Sequence, residues 1–199
     1  MGTMRLREYS MENKVYRILQ DSIKVHQSLL GKVEIIELIT KNFITTIENG
    51  NKILIFGNGG SAADAQHMAG EFINRFLMER FPLPAIALTT DTSVLTCIGN
   101  DVGFDEIFAL QIQALTSPGD LVMAISTSGN SPNVIRGIEV ARAKGNTTVG
   151  FTGQDGGVLR SVVDLCLCVP SNCTPRIQEA HITLIHIVCE LLERSLFGE

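Results

Sequence analysis

Ile53-Leu54-Ile55-Phe56-Gly57-Asn58-Gly59-Gly60-Ser61, followed by Ala62-Ala63-Asp64-Ala65-Gln66-His67-Met68-Ala69-Gly70-Glu71-Phe72, is the stretch whose reading decides the fold. Its first four residues are an unbroken apolar, β-favouring run, the pattern of a strand buried on both faces. The run breaks at Gly57-Asn58-Gly59-Gly60, where the backbone can take φ > 0. It restarts as a helix, with Ser61 expected as N-cap and Ala62, Ala63 and Ala65 as good helix formers. A glycine-rich strand-to-helix turn lets a ligand approach the backbone, and the helix N-terminus favours an anion. Further along, His67 and Glu71 are four residues apart and share one helix face. The same spacing suits a solvated i,i+4 pair, so spacing alone leaves both readings open.

Working outward, two amphipathic helices are expected before this stretch. The first runs over about Glu12–Leu30 and stops at Gly31; the second runs over about Lys32–Glu48. They carry no site chemistry, and packing is their expected role. The helix from Ser61 is expected to reach about Phe76. Beyond the Phe81-Pro82-Leu83-Pro84 connector, further apolar runs stand at Ala85–Leu88, Leu121–Ile125, Thr147–Phe151 and Leu165–Val169. Helical segments separate them: a short one after Thr89-Thr90-Asp91-Thr92, which ends at a polar break Gly99-Asn100-Asp101, then Phe104–Leu115, then Pro132 to Gly145 with Ser131 as N-cap, and a turn at Asp155-Gly156-Gly157. A last helix starts at Pro175 and runs to about Leu196. Continuous apolar strands alternating with helices specify an α/β domain with a five-stranded parallel sheet covered on both faces. With no repeat or linker, residues 1–199 read as one domain, with 1–11 a possible leader.

Composition excludes several classes of function. The chain is 45% hydrophobic and 19% charged, apolar enough for some of its surface to be buried between subunits. A net charge of -5 argues against non-specific nucleic-acid binding. Five cysteines without a Cys-x-x-Cys make neither a disulfide framework nor a zinc ribbon, and Cys166 and Cys168 read as reduced thiols on one strand face. No apolar run reaches the roughly 18 residues of a membrane span, and the N-terminus lacks a signal-peptide core, so a cytoplasmic protein is expected.

A second loop, Ser126-Thr127-Ser128-Gly129-Asn130-Ser131, sits between a strand and the helix that Pro132 opens. Four hydroxyls at a helix N-terminus can cradle a phosphate. Without Gly-Lys-Ser/Thr it is not a triphosphate loop, and Gly57-x-Gly59-Gly60 is not the dinucleotide fingerprint. If the strands before the two loops are neighbours, both loops line one crevice. The last helix offers Gln178 and His186, eight residues apart and able to share a broad face, with His181 and the first helix's His26 reading as structural histidines. His67, Glu71, Gln178 and His186 together suit a zinc site of two imidazoles, a carboxylate and an amide, or acid–base work without metal.

These motifs, with Gly99-Asn100-Asp101 and Arg176-Ile177-Gln178-Glu179, resemble the sugar isomerase (SIS) domain and, more narrowly, the phosphoheptose isomerases, over about residues 12 to 197. The resemblance implies a flavodoxin-like three-layer αβα fold with two N-terminal helices and a long C-terminal helix. It implies a cytoplasmic homotetramer with active sites between subunits, binding neither nucleic acid nor membrane. It also implies conversion of sedoheptulose 7-phosphate to D-glycero-D-manno-heptose 7-phosphate, the first step of bacterial heptose synthesis for lipopolysaccharide-type glycoconjugates. Glu71 then matches the base and His186 the acid, and His67, Glu71, Gln178 and His186 match the ligands of one zinc per subunit. Asn58, Gly59, Gly60, Ser61, Arg75, Asn100, Asp101, Ser126, Thr127, Ser128, Ser131 and Gln178 match substrate contacts. Pro175 departs from the pattern, standing where enteric relatives carry an acidic residue. Aldose–ketose isomerisation fits the residue types: it needs a base at carbon, an acid at oxygen and a hold on the phosphate. The chain also looks like the non-catalytic tetramer that associates with the replication initiator DnaA, through Phe72–Phe76, Leu83–Leu88 and Ser195-Leu196-Phe197. The presence of both Glu71 and His186 favours the enzyme. No DNA-binding domain accompanies the SIS pattern, which disfavours a sugar-phosphate sensor.

Overall fold

The computed structural model describes residues 10–198. The expected leader falls largely on residues 1–9, outside the described residues, whereas Ser10 already caps the first helix by accepting a hydrogen bond from the Asn13 N–H. Helix α1 (Met11–Leu29) and helix α2 (Val33–Glu48) are joined by a 3-10 turn at Leu30–Lys32. Then come β1 (Ile53–Gly57), α3 (Gly60–Ile73), β2 (Ala85–Ala87), α4 (Thr92–Asp101), α5 (Ala109–Leu115), β3 (Leu121–Ser126), α6 (Pro132–Ala143), β4 (Thr147–Gly153), α7 (Gly157–Val162), β5 (Leu165–Val169) and α8 (Thr174–Phe197). The five strands form one parallel sheet in the order β2-β1-β3-β4-β5. Strand order reverses between β1 and β3, the position where ligands bind in open parallel sheets. Their register runs from Ile53↔Leu121 to Gly57↔Ile125, so the Gly57–Ser61 and Ser126–Ser131 loops leave the sheet side by side.

Side chains alternate between two cores. Ile53 and Ile55 of β1 face a core built with α2, α3 and α8, through residues such as Phe43, Met68, Phe72 and Leu184. Leu54 and Phe56 face the other, with Phe108, Ile112, Val134 and Ile138 of the opposite layer. Both faces of β1 and β3 are therefore covered, which explains their unbroken apolar sequence. Ile86 of β2 remains 36% exposed because β2 is an edge strand.

Several local expectations are corrected. Ser61 is not the N-cap of α3: Gly59 is, at φ 58 and ψ -119, a conformation that favours glycine, and Ser61 lies buried in the first turn. Gly31 ends no helix in a left-handed cap, since α1 passes into the 3-10 turn through Leu30 in right-handed geometry. Helix α3 stops at Ile73, short of Phe76, because the backbone N–H groups of residues 76 to 78 turn towards the Glu193 carboxylate. Gly99-Asn100-Asp101 is the last turn of α4, not a break; Asp91 caps that helix by accepting from the Val94 N–H at 3.0 Å. Phe104–Leu115 divides into a 3-10 turn and α5. Ser131 occupies the N-cap position of α6, but its hydroxyl meets that of Ser126 at 3.2 Å instead of capping the helix.

Candidate active site

Helices α3 and α8 bring His67, Glu71, Gln178 and His186 to one side of the sheet end. They touch at two points that advance together along both chains, so they run side by side and parallel. At the first, a methyl placed on Gly60 would lie 2.4 Å from Gln178 Nε2, so the Gln178 amide rests on the first turn of α3. At the second, two turns on, His67 Nε2 lies 3.4 Å from His186 Nε2 and 3.0 Å from Glu71 Oε1. The imidazoles of His67 and His186 meet edge to face, with ring centroids 5.1 Å apart, and Phe76 packs against the His186 ring at 5.4 Å. The His67–Glu71 pair is thus more than a surface i,i+4 contact, because a third titratable group from α8 joins it.

One ring nitrogen cannot donate to Glu71 and also accept from His186 as a neutral imidazole. The cluster wants either a shared proton or a cation. The ligand atoms of His67, Glu71 and His186 all lie within 4.8 Å of one another. Two imidazoles and a carboxylate are a zinc-type donor set, and at metal–ligand distances of about 2.0–2.2 Å a tetrahedral site spaces its donors by about 3.4 Å. His67 Nε2, at 3.0 Å from Glu71 Oε1 and 3.4 Å from His186 Nε2, is close to that spacing from both.

The two loops that follow β1 and β3 lie side by side at the sheet end. In the first, the N–H groups of Ser61, Ala62 and Ala63 are bonded to the carbonyls of Asn58 and Gly59 at 3.0–3.2 Å. Amides of the second loop are likewise engaged: Gly129 N–H donates to Ser126 O at 3.0 Å and Asn130 N–H to Ser128 Oγ at 3.2 Å. That second loop is braced from outside by residues the sequence did not single out. Gly153 N–H donates to Thr127 O, Leu159 N–H donates to Gly129 O, and Val158 N–H donates to Asn130 Oδ1. Gly129 sits at φ +65 with the Gly156 carbonyl so close that a Cβ would lie 2.0 Å from it. Ser126 is buried, Thr127 and Ser131 half-buried, and Ser128 exposed, so their hydroxyls grade from the sheet end to the solvent.

Asn133 is a further residue that sequence reasoning missed. It is 1% exposed and exchanges two hydrogen bonds with Asn58: Nδ2 to Oδ1 at 2.9 Å one way and 2.8 Å the other. This amide pair bridges the two loops. Its only sequence signal is an amide just inside a helix that Pro132 opens. Asp64, one turn before His67, was also missed. Burial raises its carboxyl to about 6 against the lowering influence of His67, and its Oδ2 has no hydrogen-bond partner among the described residues.

Other residues go elsewhere. Arg75 lies beyond the end of α3, exposed and ion-paired with Glu79. Asn100 donates to Asp101 at 2.6 Å on the exposed end of α4. Neither makes a hydrogen bond to the His67/Glu71/His186 cluster. Arg176 and Glu179 pair with each other and hold α1 through Ile18 O and the Ser22 hydroxyl. His26 is structural, bonded to Ser22 O and Thr183 Oγ1. His181 is fully buried, with Nε2 3.1 Å from Thr152 O, and burial lowers it to about 4 against that bond, so it stays neutral. Cys166 and Cys168 are free and share a face of β5, their sulfurs 3.7 Å apart.

Comparison with known proteins places the chain in a family. The SIS domain family model matches residues 20–153. A phosphoheptose isomerase of Roseiflexus sp. is 58% identical over 182 residues, 91% of this chain and 92% of its own length. That of Trichlorobacter lovleyi is 53% identical over 189 residues, 94% of this chain and 96% of its own. The solved structure of a phosphoheptose isomerase from Neisseria gonorrhoeae superposes with a TM-score of 0.88 at 41% identity, covering 92% of this chain and 99% of that one. The chain belongs to the SIS domain family and, within it, to the phosphoheptose isomerases.

Proposed function

We infer that this chain isomerises sedoheptulose 7-phosphate to D-glycero-D-manno-heptose 7-phosphate through an enediol. The observation that carries the reading is the gathering of Glu71 and His186, 115 residues apart in sequence, around His67, on the helix that leaves the Gly57–Ser61 loop. Glu71 takes the proton from the carbon next to the carbonyl and returns it to the neighbouring carbon. His186 donates a proton to the carbonyl oxygen and takes one from the hydroxyl on the neighbouring carbon, so that the carbonyl moves from one carbon to the next. A positioned base or acid of this kind is worth about 10²–10⁴-fold each. Ser126, Thr127, Ser128 and Ser131 hold the phosphate. Asn58, Gly59, Gly60, Ser61 and Gln178 line the sugar, with Asn58 kept in place by Asn133.

His67, Glu71 and His186 would hold a zinc ion, whereas the Gln178 amide, expected as a fourth ligand, rests on Gly60 two turns away. Such an ion supplies Lewis-acid polarisation of oxygen when bound. Arg75, Asn100 and Asp101 stay apart from the cluster within one chain. A homotetramer with sites between subunits accounts for them, and the exposed apolar side chains Tyr16, Leu19, Leu30, Val33 and Phe104 support such an assembly. In this reading residues 1–199 act as one SIS domain, in the cytoplasm, at the first step of heptose synthesis for the cell envelope. Among the described residues, no helix is long and apolar enough to cross a membrane. The initiator-binding alternative is not favoured, since it leaves the Glu71/His186 meeting without a purpose.

The test is direct. Purified protein incubated with sedoheptulose 7-phosphate is followed by phosphorus NMR, with and without zinc. The expected result is an approach to equilibrium with the aldose heptose 7-phosphate. A folded protein that turns over neither sugar overturns the isomerase reading.

A further inference from the structure

Glu71 stands in the last turn of α3, where the backbone carbonyls have no intrahelical partner and helices fray. The carbonyl of Glu71 is not left free: Arg80 Nη2 donates to it at 2.7 Å, and Arg80 Nη1 donates to the carbonyls of Phe72 and Phe81 at 2.8 and 3.1 Å. The same guanidinium donates through Nε to Glu193 Oε1 at 2.6 Å. Glu193 also accepts from the backbone N–H groups of Phe76, Leu77 and Met78 at 2.9, 2.6 and 2.9 Å. The two side chains are 2% and 1% exposed. Burial works to raise the Glu193 carboxyl, but these N–H groups and the Arg80 guanidinium outweigh it and hold it below the usual range, so it is ionised.

The position of Glu193 matters as much as its bonds. It lies seven residues after His186, about 20° short of two full turns, so both project from the same side of α8. The Phe76 amide that Glu193 holds belongs to the residue whose ring packs against His186. One buried ion pair therefore reaches both reactive groups: through the Glu71 carbonyl on one side and the Phe76 ring on the other. A fully satisfied buried pair of this kind gives little net stability over an apolar substitute, and its best-attested use is to fix one geometry.

We propose that Arg80 and Glu193 are positioning residues for the isomerisation, forming a strut that fixes the Glu71 carboxylate and the His186 imidazole relative to each other. The proposal rests on the assignment of Glu71 and His186 above. A misplacement of about 1 Å at a reacting centre costs up to about 10²-fold, which sets the scale of the effect.

Arg80→Lys is the decisive variant. It keeps the charge and an ion pair but loses the planar fork that reaches Glu193 and three carbonyls at once. The expected result is a folded protein whose kcat falls about 10- to 100-fold, with KM for sedoheptulose 7-phosphate changed less than threefold, since the phosphate loops are untouched. In the same sample the imidazole NMR signals of His67 and His186 shift, whereas that of His26, bonded to Ser22 and Thr183, does not. Unchanged kcat and unchanged His186 signals overturn the proposal. If Arg80→Lys does not fold, Phe76→Leu carries the test: it leaves the ion pair in place and removes only the ring against His186. Reduced kcat at constant KM supports the strut, and wild-type kcat overturns it. The imidazole signals need no turnover, so an inactive wild-type protein would defeat the isomerase assignment separately from the strut.

Discussion

Gly60→Ala separates the site from the stability of the fold. The φ of Gly60 is not in the left-handed region, so alanine meets no backbone strain there. Its new methyl would lie 2.4 Å from Gln178 Nε2 and 3.0 Å from Gln178 Cδ. Ordinary contact begins at 3.4 Å, so the amide must retreat by about 1 Å. Both atoms belong to the free end of a flexible side chain, and the retreat is cheap. Alanine is also the better helix former by up to about 1 kcal/mol. Thermal unfolding is therefore expected to move by no more than about 1 kcal/mol either way. The functional cost is larger: a donor displaced by about 1 Å is expected to lower kcat/KM by about 10- to 100-fold. The assay is steady-state isomerisation beside a circular-dichroism melt, with Gln178→Ala as companion. Similar losses in the two variants at near wild-type melting place Gln178 in the site. Wild-type kcat/KM in Gly60→Ala would refute the reasoning, as would a melt lowered by several kcal/mol.

Further outcomes follow from other contacts. Asn133→Ala leaves the Asn58 amide without its two bonds and is expected to cost about 1–3 kcal/mol of stability while raising KM, read by melting and kinetics; unchanged KM would remove the loop-bridging role. Gly129→Ala sets a Cβ 2.0 Å from the Gly156 carbonyl at φ +65, and is expected to lose phosphate binding in a titration with inorganic phosphate. His181 sits at about 4 when folded, against about 6.5 unfolded. The unfolded chain takes up that proton first, so stability is full above about pH 6.5, falls by about 3 kcal/mol as pH drops to about 4, and levels off below. His181→Gln is expected to flatten that window in urea unfolding measured at stepped pH. Zinc at about 100 times its dissociation constant is expected to stabilise the wild type by about 2.7 kcal/mol, with no such gain in His67→Ala; equal gains would place the ion elsewhere.

Much of the fold was legible because parallel strands leave an unmistakable trace. Ile53–Phe56 and Leu121–Ile125 are apolar on both faces, and in the structure both faces are covered. Capping residues and prolines located the starts of α4, α6 and α8, whereas the cap of α3 is Gly59, not Ser61. Helix ends were less legible, since they depend on distant groups: α3 stops at Ile73 because Glu193, over a hundred residues later, takes the next free amides. The site divides in the same way. Local spacing put His67 and Glu71 on one face, and strand adjacency brought the two loops together. Nothing local announced that His186 would complete the cluster, that Asn133 would bridge the loops, or that Gly156 would press on Gly129. Such contacts belong to the packing of α8 on α3, of α6 on the Asn58 loop and of α7 on the Ser126–Ser131 loop. Arg75, Asn100 and Asp101, assigned by resemblance, gain no partner in the cluster from a single chain.

The most direct measurement is the isomerisation rate of Glu71→Gln against wild type, with binding of the sugar phosphate followed in parallel. Glutamine keeps the size of the side chain and a hydrogen bond to His67 but cannot accept the carbon-bound proton. A loss of at least about 10²-fold in kcat with binding retained is predicted if Glu71 is the base. A folded Glu71→Gln protein that turns over within tenfold of wild type would contradict that assignment.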